Sequence, residues 1–156
     1  MQQCKVLIIS ISNPILIGIY EHDILIDTIS KEGKTSDILP CLFEMILEKY
    51  RITELYYVSG PGSYMAIKIA YIFLKTLSII EDIPLFAVSG FDLNKNSPIK
   101  ALGKKYFFRH NHKLDDDKIT IELLNEAKVE PFTLPEKFNY IKYTEDTLPK
   151  YNLPAV

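Results

Sequence analysis

The stretch from Glu54 to Ser89 constrains this chain more than any other. Leu55-Tyr56-Tyr57-Val58 is aromatic and β-branched, the composition of a strand. Ser59-Gly60-Pro61-Gly62-Ser63 follows as a sharp turn. Its two glycines reach backbone angles closed to other residues, and Pro61 sets φ between them. Ser63 is placed to cap a helix by accepting a free amide two or three residues on. That helix is expected over Tyr64 to Glu81, and Pro84 opens a second strand, Leu85-Phe86-Ala87-Val88. Strand, helix and strand of these lengths make a right-handed crossover between parallel strands.

The helix has more apolar surface than one buried face requires. Lys68, Tyr71, Lys75 and Ser78 form one narrow stripe, and Ile67, Ile69, Ala70, Ile72, Phe73, Leu74, Leu77, Ile79 and Ile80 fill the rest. A surface helix needs one apolar face, so this one is expected to be covered on more than one side. Its own sheet covers one; a second helix, a second domain or another chain is needed for the other.

The 156 residues suffice for one compact domain, with or without a small appendage. Cys4 and Cys41 offer neither a disulfide framework nor metal-ligand spacing, which suggests a reducing, cytoplasmic setting. Val6 to Tyr20 mimics a signal peptide, but Ser10, Ser12, Asn13 and Pro14 interrupt it and it is too short to span a bilayer. Two buried strands around a Ser12-Asn13-Pro14 turn explain it, and no membrane association is expected. Net charge is −2 and unevenly spread. Asn94 to Leu114 holds Lys95, Lys100, Lys104, Lys105, Arg109 and Lys113 and no acid. The remainder carries 12 basic against 20 acidic residues, a net of −8, and repels nucleic acid.

Taken in order, strands are expected at Lys5 to Ser10, Ile15 to Tyr20 and Ile24 to Ile29, with His22-Asp23 as a turn. Their connections are too short for crossovers, so they form an antiparallel meander. A helix opens at Ser36 or Asp37 as N-cap, with Pro40 in its first turn and Leu39, Leu42, Phe43, Ile46 and Leu47 at helical spacing. The order to Asn94 is β-β-β-α-β-α-β, an α/β fold with a five-stranded mixed sheet. Residues 1–94 are read as one domain and 95–156 as a shortened second lobe, joined at the polar linker Asn94-Lys95-Asn96-Ser97-Pro98. Tyr106-Phe107-Phe108 and Lys118-Ile119-Thr120-Ile121 read as strands around Leu114 to Asp117. Pro131, Pro135, Pro149 and Pro154 make the tail extended.

Three features invite a sharper chemistry. Gly60-Pro61-Gly62-Ser63 sits where a helix N-terminus favours an anion. No lysine follows in Walker spacing, however, and a tight turn that starts a helix accounts for it. His110 and His112 share a strand face ahead of Asp115, Asp116 and Asp117, but their spacing matches no common metal site. The basic run with Tyr106, Phe107 and Phe108 offers RNA contact, against the simpler reading of a solvated strand with core aromatics. No catalytic constellation assembles: Ser63 has no histidine in its motif, Cys41 lies on an apolar helix, and Asp27 and Asp92 lack a second acid.

Three antiparallel strands, a helix, then strand-helix-strand resemble half of the actin, heat-shock-chaperone and sugar-kinase (ASKHA) superfold. The local text is more specific. Thr35-Ser36-Asp37-Ile38-Leu39-Pro40 resembles the "HSE-x-LLP" helix start of the TsaB family, also called YeaZ. Ser59 to Ala70 resembles that family's "GxGPGSFTGLRIG" motif, and Ile83 to Ser89 its "IPLVGVSS" strand. The resemblance covers about residues 5 to 94. It implies a non-catalytic scaffold for TsaD, which installs the threonylcarbamoyladenosine (t6A) modification on tRNA, with a TsaE-type ATPase joining the complex. It also implies a homodimer through the same helices when the partner is absent, and ATP or ADP only in the assembled complex, with no cofactor of its own.

On that reading the partner-binding residues are Leu39, Leu42, Phe43 and Ile46 on the first helix, and Ile67, Tyr71, Leu74 and Ser78 on the second, packing as a four-helix bundle. The motif loop is Gly60, Pro61, Gly62, Ser63, Tyr64 and Lys68. The chain departs from the family where "IDTS" becomes Ile9-Ser10-Ile11-Ser12, where the motif arginine becomes Lys68, and where Thr-Gly becomes Met65-Ala66. Active kinases of the superfold hold their metal with an acid at the place of Ser10, and a serine is a poor substitute for a carboxylate toward a hard cation. That argues against the alternative of a small phosphotransferase or nucleotide-binding protein. A peptidase-like role is the second alternative and has no supporting constellation.

Overall fold

A computed structural model describes residues 1–110, 118–124 and 129–151. Its centre is a five-stranded mixed sheet of order β3-β2-β1-β4-β5. Strands β1 (Gln2–Ile9), β2 (Ile15–Glu21) and β3 (Ile24–Lys31) form the antiparallel meander. The β2–β3 turn is tight, with His22 and Asp23 both at positive φ. Strand β4 (Tyr50–Gly60) lies parallel to β1, and β5 (Leu85–Ser89) lies parallel to β4. The crossover read from the sequence is therefore present, and its helix, α2, spans Tyr64–Glu81 as expected.

Helix α1 (Thr35–Lys49) begins earlier than its sequence suggests. Lys34, not Ser36 or Asp37, is the N-cap, and it makes no side-chain cap bond. The Lys34 carbonyl instead accepts from the amides of both Asp37 and Ile38 at 3.0 Å. Pro40 consequently falls in the second turn, where its missing amide leaves the Ser36 carbonyl without its usual donor.

Both helices lie on one face of the sheet. Val6, Ile8, Ile17, Ile19 and Tyr57 of the strands pack against Leu39, Phe43, Ile46, Ile67, Ala70 and Leu74. The opposite face, with Leu7, Ile9, Tyr20, Tyr56 and Val88, is covered by the late chain through Phe132, Leu134, Phe138 and Ile141. Phe138 sets its ring edge-on against Tyr20 at 5.1 Å and Tyr56 at 4.4 Å.

A second sheet joins β6 (Ile99–Lys100), β7 (Lys105–His110) and β8 (Lys118–Leu123) in antiparallel order. The short β6 lies just past the polar linker and was not legible in the sequence. Phe107, Ile99 and Phe91 make a small core beneath this sheet. The β7–β8 turn, including His112, Lys113 and the three aspartates, lies outside the described residues, as does Pro154.

Candidate functional site: the helical face and the motif loop

The two helices bring the expected partner residues together, but facing the chain's own core. Leu39, Leu42, Phe43 and Ile46 are buried, as are Ile67 and Leu74. Tyr71 is half-buried and lies 6.0 Å from Tyr57, and the Ser78 hydroxyl donates to the Ile83 carbonyl. None of the six buried side chains is offered to a partner, which corrects the expected anchor set. The physical reason is that α2 is apolar nearly all round, so periodicity does not select which side meets the sheet.

The surface that α2 does present is apolar. Ile72, Ile79 and Ile80 are 54%, 71% and 72% exposed. Burial of Ile67, Ala70 and Leu74 against the sheet leaves them outward. Ile72 and Ile80 line a groove of about 410 Å3 between α1 and α2, with Pro40, Phe73, Thr76 and Leu77 among its other walls. Phe43 and Phe73 meet beneath it at 5.5 Å. On α1 the outward side also exposes Met45 and Cys41.

The motif loop is used structurally. Gly60 sits at φ +136°, and a side chain there would land on the Lys150 carbonyl of the late chain. Gly62, at φ +156°, would place a Cβ 2.8 Å from Ile11 Cγ2. Both glycines are therefore demanded by close approach and by backbone angle. Ser63 caps α2, its hydroxyl accepting from the Ala66 amide at 3.5 Å. Tyr64 packs on Tyr151 with ring centroids 4.4 Å apart, and Lys68 lies over the Tyr64 ring at 5.8 Å. The Lys150 amide donates to the Ser59 carbonyl at 2.7 Å. The late chain thus closes over the side from which an anion would approach Gly60.

Other polar features pair internally. Arg109 bonds Asp92 at 2.8 Å and Asn96 at 2.7 Å and lies over Phe91, so one member of the basic run is part of the core beneath the small sheet. Lys95, Lys100, Lys104 and Lys105 are exposed. His110 sits beside Thr120 at 3.0 Å and Glu122 at 3.6 Å. Among the described residues no group of three histidine, cysteine or acidic side chains is arranged to hold a metal. Lys5 bridges Asp23 at 2.9 Å and Glu54 at 3.6 Å. Burial works to lower its pKa, and the Asp23 and Glu54 partners more than offset that and raise it. Burial pushes the Cys4 thiol up to about 11, with Glu21 adding to the effect, so this cysteine is not a nucleophile near neutral pH. Burial likewise raises the phenols of Tyr20, Tyr56 and Tyr57.

No protein-family model and no curated protein matches the sequence. Solved structures do. YeaZ from Pseudomonas aeruginosa superposes with a TM-score of 0.60 at 12% identity, covering 84% of this chain and 68% of its own. The chain has the fold of YeaZ. A second structure, described as an uncharacterized protein similar to peptidase YEAZ from Pseudomonas aeruginosa, gives 0.58 at 12% identity, with 83% and 69% covered. The family that residues 5 to 94 resemble in their motifs is the one whose fold the chain shares. No helix among the described residues is long and apolar enough to cross a membrane.

Proposed function

We propose that this chain is a TsaB-type scaffold, the YeaZ-like half of an actin, heat-shock-chaperone and sugar-kinase superfold, that binds a TsaD-like transferase and supports t6A modification of tRNA. The observation that carries the reading is the apolar α1–α2 groove with Ile72 and Ile80 on its rim. Large exposed aliphatics grouped on one helical face mark an interaction surface. A helix pair from the partner fits such a groove as a four-helix bundle. The same face serves a homodimer when the partner is absent.

In this reading the chain supplies shape and apolar surface, and the transferase supplies the chemistry. A TsaE-like ATPase and any ATP or ADP enter with the assembled complex, in the cytoplasm. The exposed Lys95, Lys100, Lys104 and Lys105 are the part of this otherwise acidic chain suited to approach tRNA. The anchors are assigned to Ile72, Ile79 and Ile80, with Met45 on α1.

The test is light scattering after size exclusion, on the chain alone and mixed with the TsaD-like protein of its organism. A one-to-one complex is expected. Ile72→Glu and Ile80→Glu should each abolish it without changing the thermal melt, because both side chains are exposed. Absence of a complex at micromolar concentrations, or a complex indifferent to both substitutions, overturns the reading.

A further inference from the structure

Strand alternation divides the small sheet into two faces. Phe107 is fully buried in the core beneath it, and Arg109 lies over Phe91 and bonds Asp92 at 2.8 Å. Tyr106, Phe108 and His110 alternate with these two and therefore form a row on the opposite face. The neighbouring strands continue that face: Lys100 stands opposite Tyr106, Thr120 opposite Phe108 and Lys118 opposite His110. Across it the His110 ring meets the Thr120 hydroxyl at 3.0 Å.

This outward face carries more aromatic surface than the sheet needs. Tyr106 and Phe108 are half-buried and stand across the sheet from the small core of Phe91, Ile99 and Phe107. Two residues of strand separate the rings by about 7 Å, enough for each to take its own planar group. Lys100 and Lys118 are exposed at diagonally opposite ends of the row, and Lys104 is exposed at the β6–β7 turn. Tyr106 and Lys100 also line an open cavity of about 450 Å3, so that end of the row is reached from solvent. Glu122, opposite Tyr106, is the one acid on this face among the described residues. Its carboxylate accepts from the Thr120 hydroxyl at 3.0 Å and lies 3.6 Å from His110. The chain outside residues 94–114 has a net charge of −8, so a polyanion meets least repulsion here.

We propose that this face binds single-stranded nucleic acid, with bases stacked on Tyr106 and Phe108 and phosphates met by Lys100, Lys104 and Lys118. A duplex keeps its bases stacked within itself and gives the rings nothing to hold, so rings and lysines together select the single strand. The proposal deepens the tRNA approach suggested above for Lys100 and Lys104. It uses none of the residues of the helical groove and is measured on the chain alone, so its failure leaves the complex with a TsaD-like protein standing.

The experiment is fluorescence anisotropy of short labelled oligo(U) and oligo(dT) with the full chain at about 50 mM salt, against an RNA duplex of the same length and inorganic polyphosphate. Both single strands should bind with a dissociation constant of about 100 μM or tighter, and at least about fivefold tighter than either control. Equal affinity for the two assigns the site to stacking and charge, and a preference of about fivefold for oligo(U) adds contact with the ribose 2′-hydroxyl. Tyr106→Leu and Phe108→Leu keep apolar bulk and remove the ring; each should weaken binding about fivefold or more with the salt dependence unchanged, and Tyr106→Phe should retain it. Lys100→Ala and Lys118→Ala, at exposed positions, should each weaken binding and reduce the logarithmic salt slope by about 0.7. No saturable binding up to about 1 mM, a duplex or polyphosphate bound as tightly as the single strands, or binding indifferent to Tyr106→Leu, Phe108→Leu and Lys100→Ala overturns the proposal.

Discussion

The two faces of the central sheet are covered by different means. On one, α1 and α2 lay regular helices across the strands and still expose Ile72, Ile79 and Ile80. On the other, a mostly extended segment from Phe132 to Tyr143 inserts single side chains between strand residues. Helices satisfy their own backbone, so they cover a sheet by apolar contact alone and can carry a second apolar side outward. An extended segment has no internal ladder, so its backbone must find partners on the body it covers. It does: Leu25 donates to Glu136, Phe138 to Asp23, and Ala87 and Thr144 exchange both bonds at 2.9 Å along the β5 edge. The buried phenol of Tyr20 joins in, donating to the Pro135 carbonyl at 2.7 Å, while on the helical side the phenol of Tyr57 donates to the Thr147 carbonyl. One face leaves large apolar side chains exposed, and the other is closed by the chain's own extended segment.

That contrast breaks if the extended cover is dispensable. Phe138→Ala, at a side chain 3% exposed, should cost about 3–5 kcal/mol in denaturant unfolding, as much as a core substitution under the helices such as Leu74→Ala. A loss well under 1 kcal/mol would show that the cover is an attachment. Gly60→Ala should cost about 2 kcal/mol or more, because it combines a disfavoured φ with a collision against the Lys150 carbonyl. Limited proteolysis should then cut the late chain first. If both stability and cleavage are unchanged, the loop and the late chain are not locked together.

The tyrosines sharpen the comparison through pH. Their folded-state pKa values are raised by burial, so the native state holds these protons more tightly than the unfolded chain. The stability they contribute is complete below the unfolded value near 10 and is lost as pH rises beyond it. Melting temperature should fall steeply above about pH 10, and less steeply in Tyr57→Phe. Tyr20→Phe should cost about 1 kcal/mol at neutral pH, the usual net value of one hydrogen bond. On the helical face, Ile79→Ser should change stability by less than about 0.5 kcal/mol, since the side chain is already in solvent. A large loss there would mean that the isoleucine is needed within the chain rather than beyond it.

The central fold was legible because its signals are local. Alternating apolar residues, short meander connections and the Gly60 to Ser63 turn each report on a few neighbouring residues, and together they specify the order of elements. The start of α1 was misread because Ser36 and Asp37 are good caps, whereas the Lys34 carbonyl does the work with no side chain involved. Six of the eight candidate anchors lie on the inward sides of α1 and α2, buried in the chain's own core.

Taken alone, the residues determined the β-β-β-α-β-α-β order, the parallel crossover, and an excess of apolar surface on Tyr64 to Glu81. Periodicity encodes these directly, as 2 residues for a strand and 3.6 for a helix. The tertiary structure decided which apolar side of α2 faces inward, because a helix oily on every side has no unique direction. It also decided that Phe132, Phe138 and Ile141 cover the second face, because spaced along an extended chain they follow neither period and acquire a place only from distant strands.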